Sequence, residues 1–432
     1  MKKRYLLLVI LFIYSCMLTL TSCNKTTVDS NNNVIVNEET RKIDGNAEKI
    51  VEPGYEKLEE LIDDEASNKK FQGSVLVGDG DDIIFAKAYG YADAQEKIEN
   101  KLTTRFAIAS NTKQFTATAI MQLVEQNKIS LDETIDKYFP DYKYGNKITI
   151  KNLLQMRSGI PDYLNELDLF MREEDTKKIL KEYESNAYYD KYVEDYRWSS
   201  EIILKNLYLT ELLFEPNEEY DYCNTNYYLL GLIIEEVSGM SFEDYLGEYI
   251  FKPAKMGSSS VIPLNSDAKG HGSDKSGVIV ANYEFTYAAG AIYSNIFDMF
   301  RWSRMLHKGD IITRKSYEEM ITPVDDYGYG LFVKDNIIGH SGVIDGFTSN
   351  TEYDINKDRT IIVLENIDPE TDNLDAQYHT NLIREYLDGQ VEEENSFNSL
   401  VKRVRRIEDN SAGLYSMDNE LAARVYTLNT NK

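Results

Sequence analysis

Three short motifs occur in order along this 432-residue chain: Ser110-Asn-Thr-Lys113, Tyr222-Cys-Asn224 and His340-Ser-Gly342. They supply a hydroxyl with an amine three residues on, a phenol beside an amide, and an imidazole in a Gly-bounded segment. Those are the parts of an acyl-transfer site, in which a serine attacks a carbonyl and a neighbouring base takes its proton. None is specific alone, since S-x-x-K occurs five times, Y-x-N four times and H-x-G twice.

Context chooses among the copies. Ser110 follows the apolar run Phe106 to Ala109 and precedes Phe115-Thr-Ala-Thr-Ala-Ile-Met-Gln-Leu-Val124, which is apolar on several sides and predicts a buried helix. A Ser at i and a Lys at i+3 share a helix face, and burial disfavours the ammonium, leaving an amine able to accept a proton. Free N–H groups at the helix start favour a developing oxyanion. The other copies, at Ser22, Ser67, Ser266 and Ser399, lie in a processing site, a Lys-rich helix end, a polar loop and a basic tail. Taken alone Ser110 reads more readily as a helix N-cap, Tyr222 as a packing or surface aromatic and His340 as an ordinary strand-edge histidine. Their joint occurrence favours the catalytic reading.

Longer segments accompany the motifs: Ile148-Thr-Ile-Lys-Asn-Leu-Leu-Gln-Met-Arg-Ser-Gly-Ile-Pro-Asp-Tyr163, Phe214 to Asn224 with the apolar run Tyr228 to Gly239, Ala288 to Ser294, and Gly339 to Val343. With these the chain resembles the serine β-lactamase and penicillin-binding-protein superfamily, in its class C β-lactamase and D-alanyl-D-alanine carboxypeptidase-like branch, from about Phe71 to about Asp388. The resemblance implies Ser110 as acylated nucleophile, Lys113 as its proton acceptor and Tyr222 as the group that works with the lysine. It implies Asn224 as a substrate-orienting amide, and puts His340, Ser341 and Gly342 where many members carry Lys-Thr-Gly. The N–H groups of Ser110 and Val343 would form the oxyanion hole. The chain departs from the pattern at Met156-Arg157 (often His-Thr), Asn217 (usually Gly), Cys223 (usually Ser) and Asn226 (often Gly). Asn tolerates left-handed geometry, so the turn at Asn217 is expected to survive.

The elements that must hold these groups are legible in outline. Gly73 to Val77 and Ile83 to Tyr89 read as strands around a Gly-Asp turn, and Tyr327–Val333, Asn336–His340, Phe347–Ile355 and Arg359–Glu365 as further strands. Segments near 55–66 and 373–388 read as helices, and 110–320 as mainly helical. The expected fold is α+β: an antiparallel sheet flanked by helices, with an all-α subdomain inserted and the site between them. The Tyr-rich stretch between Leu164 and Leu213 reads equally as a cleft wall or a solvated helix.

Residues 1–22 read as an export signal, with Lys2, Lys3 and Arg4 before an apolar stretch, and Leu20-Thr-Ser-Cys23 matches a bacterial lipobox. The expected organisation is a signal (1–22), a lipidated Cys23 with a polar tether (23–54), a hydrolase domain (55–390) and a tail without assigned role (391–432). Cys23 would anchor the chain to the outer face of the bacterial cell membrane. Removing Cys16 with the signal leaves no intramolecular disulfide. A formal charge of −26 argues against nucleic acid as a partner, and four scattered histidines without ligand spacing argue against a metal; no cofactor is expected. The expected activity is hydrolysis of D-amino-acid peptides of the cell wall, β-lactams or small esters. A D,D-peptidase or esterase role is favoured over a dedicated β-lactamase, because His340 replaces a Lys. The alternative is an inactive hydrolase fold serving as a surface binding or sensing protein.

Overall fold

A computed structural model describes residues 48–68, 71–165, 200–272, 277–279, 283–368 and 376–389. The signal, Cys23, most of the tether, residues 166–199 of the Tyr-rich stretch and the 391–432 tail lie outside the described residues.

Strands β1 (Lys49–Val51), β2 (Gly73–Asp79), β3 (Asp82–Tyr89), β4 (Phe332–Lys334), β5 (Ile337–Ile344), β6 (Phe347–Asp354) and β7 (Arg359–Glu365) form one sheet in the order β1-β3-β2-β7-β6-β5-β4. Every neighbouring pair is antiparallel, and β2 pairs with β7 through Val75 opposite Val363. The two ends of the domain therefore interleave in the sheet, and everything between β3 and β4 is an insertion. The central strands β2 and β7 are buried on both faces because helices cover both sides. On one side α1 (Glu56–Ser67) and the helix at 376–389 bury Leu58, Ile62 and Ile383 against Val75, Val77 and Val363. Each such side chain contributes about 1.5–3 kcal/mol. On the other side α7 (Ile296–Lys308) lies against β7, its Ser303 hydroxyl 3.0 Å from that of Thr360.

The insertion holds α2 (Thr112–Glu125), α3 (Ile150–Leu154), α4 (Ser200–Leu207), α5 (Asn224–Ser238), α6 (Phe242–Leu246), α7 and α8 (Arg314–Met320); the helix at 376–389 is α9. Helix α2 is buried on nearly every side, as its apolar run requires, and its Phe115 stacks on Trp302 of α7 with ring centroids 4.1 Å apart. A capping box starts α3, Thr149 and Asn152 each satisfying the other's backbone N–H, which is worth about 1 kcal/mol.

Three expectations need correction. Residues 49–51, assigned to the tether, form the edge strand β1, with Lys49 paired to Glu59 of α1 at 2.5 Å. An edge strand with one strand neighbour needs little apolar content, which hid it. The strand expected over Tyr327–Val333 is instead Phe332–Lys334. Left-handed Asp325 (φ 54°), Asp326 (φ 62°) and Gly330 (φ 69°) fold residues 325–331 into turns, exposed at 325–326 and buried from Tyr327 to Leu331. The strand expected to end at His340 continues to Ile344, so His340 stands in its middle.

Candidate active site

Ser110 lies in a single 3-10 turn, Ala109–Asn111, that runs directly into α2. Ala109 holds φ 46°, a left-handed conformation that a non-Gly residue adopts at a cost of about 1–3 kcal/mol. The turn is fixed by a chain of side chains. Trp302 Nε1 donates to Gln114 Oε1 (2.6 Å), and Gln114 Nε2 to Asn111 Oδ1 (2.9 Å). Asn111 Nδ2 then donates to Ser349 Oγ (2.8 Å), which donates to the Ile108 carbonyl (2.7 Å). Helix α7, helix α2 and strand β6 are thus tied to the turn before Ser110. Ser110 does not cap α2, whose N-cap is Asn111.

Lys113 is fully buried one turn on, and its Nζ donates to Ser110 Oγ (2.9 Å), Asn224 Oδ1 (2.7 Å) and the Ala289 carbonyl (2.9 Å). Three neutral acceptors replace water poorly around a charge, so burial pushes its ammonium down to about 7, with the Asp162 carboxylate opposing the shift. Near neutral pH a good part of the population is a free amine touching the serine hydroxyl. That is the state able to take the serine's proton.

Tyr222 closes the third side. Lys113 Nζ sits 4.9 Å from its ring centroid, and burial holds its phenol well above the ordinary range, a shift that a hydrogen bond with Ser110 reduces. It is therefore a neutral phenol at pH 7, suited to relaying a proton and not to resting as a phenolate. Asn224 opens α5, and Asp162 Oδ2 accepts both its backbone N–H (2.9 Å) and its Nδ2 (2.8 Å). This carboxylate at a helix N-terminus fixes the amide so that Oδ1 faces Lys113.

Strand β5 forms the far wall. The hydrogen bond from Ile355 N to the Asn336 carbonyl sets the phase of its pairing with β6. Even-numbered residues from 338 to 344 bond β6, and the N–H groups of Ser341 and Val343 point to the other edge. Strand β4 covers that edge only as far as Gly339, so no strand partner among the described residues reaches the Val343 N–H. Gly342 packs against the nucleophile turn so closely that a β-carbon there would lie 2.4 Å from the Ile108 carbonyl oxygen and 2.9 Å from Ser110 N. His340 lies 6.0 Å from Tyr222, ring to ring. Its Nδ1 faces the Ser341 carbonyl, which only accepts, so Nδ1 carries the proton and Nε2 accepts from the Tyr327 hydroxyl at 3.2 Å. Burial first and the Lys113 charge second push its imidazole down to about 3.

The structure thus brings together all eight residues singled out in the chain's middle, Ser110, Lys113, Tyr222, Asn224, His340, Ser341, Gly342 and Val343. It adds Asn111, Gln114, Asp162, Tyr327 and Ser349, which sequence reasoning did not assign. Asp162 had a signal, since it lies in the quoted Ser158-to-Tyr163 turn; Ser349 and Tyr327 had none.

The departures from the pattern are neighbours in space. Cys223 N–H and Asn226 Nδ2 approach Met156 Sδ (3.4 and 3.7 Å), and Ser158 Oγ donates to Asn226 Oδ1 (2.6 Å). Asn217 holds φ 72°, as its type allows, and its carbonyl accepts from Arg157 Nη2 (2.5 Å). The Cys223 thiol is buried, held well above its usual range, and donates to the Ile160 carbonyl. It packs; it is not a second nucleophile.

Residues 58–384 match the Beta-lactamase family. The chain is 29% identical to Penicillin-binding protein 4* of Bacillus subtilis (strain 168) over 349 residues, 73% of this chain and 72% of that one. A penicillin-binding protein from Bacillus halodurans superposes with TM-score 0.61 at 26% identity, covering 76% of this chain and 99% of that chain. D-amino acid amidase from Ochrobactrum anthropi SV3 superposes with TM-score 0.63 over 76% of this chain and 97% of that chain; at 23% identity this likeness shows the fold alone. With the family matched over most of the described domain, the chain belongs to the beta-lactamase family, a family of serine hydrolases.

Proposed function

We propose that the protein hydrolyses D-amino-acid peptides or small esters through an acyl-enzyme on Ser110. Lys113 accepts the serine proton, and Tyr222 relays it to the leaving group. The N–H groups of Ser110 and Val343 hold the oxyanion, and Asn224 keeps Lys113 aimed while offering its remaining N–H to the substrate. Water later attacks the ester and regenerates Ser110. The observation that carries this reading is the fully buried Lys113, its Nζ 2.9 Å from Ser110 Oγ, where burial pushes the ammonium down to about 7. The B. subtilis and B. halodurans relatives, both penicillin-binding proteins by name, support a D-peptide as the acyl donor. His340 in place of a lysine argues for this over a dedicated β-lactamase. The lipobox at Cys23 supports export and anchoring outside the membrane, with residues to about 48 as the tether and the catalytic domain beyond. The departures motivated the alternative of an inactive binder; their mutual contacts and the intact Ser–Lys–Tyr cluster favour the enzyme.

A fluorophosphonate probe tests the reading. Wild type is expected to be labelled on Ser110, and Ser110→Ala to lose the label and at least 10³-fold of its turnover of p-nitrophenyl esters and D-peptides. Equal labelling of both proteins would sink the proposal.

The roles of the two basic groups separate by pH. Burial pushes the His340 imidazole down to about 3, so a rise of kcat/KM around pH 7 is expected from Lys113 and not from His340. His340→Gln is expected to keep that limb within about half a pH unit while lowering kcat/KM no more than about tenfold. A limb that vanishes in His340→Gln would reassign the base.

A further inference from the structure

Beside the site, and sharing His340 and Ser341 with it, lies a hollow of about 620 Å³ between the β4–β6 end of the sheet and α9. A hydrolase working on free peptide C-termini would be expected to offer an unmatched cation in such a hollow, to meet the substrate's carboxylate. Here the cations among the described residues are already matched. On the floor Arg384 donates from Nη1 to Glu352 Oε2 and from Nη2 to Asn381 Oδ1. The other oxygen of Glu352 accepts from Asn350 Nδ2 at 3.2 Å. At the rim Lys334 pairs with Asp326 at 3.2 Å, and Asp325 pairs with Arg157. Asp335 adds one more carboxylate to the lining, which among the described residues carries four acidic groups against two basic ones.

An entering carboxylate would have to share Arg384 with Glu352, at close like-charge range, or displace Glu352 and strip a nearly buried carboxylate of its partner. The formal charge of −26 opposes its approach as well. Neutral amides, hydroxyls and ammonium groups meet no such barrier, and Asn381, Gln377 and Ser341 offer them hydrogen bonds.

Building on the serine-hydrolase reading above, we infer that the part of the substrate lodged beyond His340 and Ser341 is neutral or cationic, an amide, an ester or an amine-bearing group, and not a free carboxylate. The acyl donor is then a D-amino-acid derivative blocked at its carboxyl end. The arrangement is specific to this lining, because a single carboxylate, Glu352, decides whether Arg384 is available.

The test is protection of Ser110 against fluorophosphonate labelling by N-acetyl-D-Ala-D-Ala and by its C-terminal carboxamide. In wild type the carboxamide is expected to protect at a concentration at least tenfold lower. Glu352→Gln keeps the shape and frees Arg384, and is expected to shrink the ratio to threefold or less or invert it. Arg384→Gln removes the floor's cation and is expected to widen it. Equal protection in wild type, preference for the free acid, protection by neither compound, or a ratio unmoved in Glu352→Gln would each overturn the inference. Labelling of Ser110 without any ligand keeps the two claims apart: if it fails, the hydrolase reading fails first.

Discussion

Replacing Lys113 by Met is expected to lower kcat/KM by about 10³–10⁴ and to remove its rise with pH around 7, because general-base help of that size is lost with the amine. The same substitution carries a signature in stability. The lysine's pKa is about 7 when folded and 10.5 when free. Below pH 7 both states hold the proton, and the folded protein bears the whole cost of a buried ammonium, about 5 kcal/mol. Between 7 and 10.5 the unfolded chain still holds the proton that the folded one has shed. Wild-type stability therefore gains about 1.4 kcal/mol per pH unit from this group. Above 10.5 the penalty is gone. Lys113→Met has no such term, though it leaves the Asn224 amide oxygen and the Ala289 carbonyl without a donor, at about 1–3 kcal/mol each. The absolute difference between the two proteins mixes these effects, but its change with pH does not. Urea denaturation at pH 7 and pH 10 is expected to show wild type gaining several kcal/mol on the variant. A constant gap would mean that Lys113 keeps an ordinary pKa, and the proposed base would be lost.

How much of this was readable in the chain follows from where the information lies. Helix α2 announced itself because burial on every side requires apolar residues at every side, and Ser110 and Lys113 came with it. The chemistry-bearing residues were legible through their residue types, and their convergence through the order of three motifs. What was hidden depends on pairing across long separations. Ser349 is an unremarked Ser in a strand until β6 sets it beside Ile108 and Asn111. Tyr327 was assigned to a strand, because nothing local says that Asp325 and Asp326 take left-handed conformations and fold the chain back. The strand β1 was missed for the opposite reason, its partners being supplied by β3 and α1 rather than by its own composition. Charge balance in the hollow beyond His340 was equally invisible, since Glu352 and Arg384 meet only when α9 packs on β6.

Gly342→Ala is the smallest change expected to disable the site from within the scaffold. The added β-carbon would lie 2.4 Å from the Ile108 carbonyl oxygen, 2.7 Å from Ser349 Oγ and 2.9 Å from Ser110 N. Two of these are backbone atoms of the nucleophile turn, and the third is held by Asn111 and Ile108, so none can swing aside like the end of a long side chain. Either β5 moves away from the turn or the turn moves away from α2. Both routes separate Val343 N–H from Ser110 N–H, the pair proposed to hold the oxyanion. Loss of one such donor costs about 10²–10³ in turnover, and overpacking of this kind costs about 1–3 kcal/mol of stability. Gly247→Ala is the matched control, since a β-carbon there meets nothing within 4 Å and the residue already holds helical geometry. The control is expected to leave turnover unchanged and stability equal or slightly higher. Fluorophosphonate labelling rates and thermal midpoints of the two variants, measured side by side, decide it. Wild-type labelling in Gly342→Ala would mean that the strand and the turn are not in contact as described, and that the oxyanion pair is set by something else.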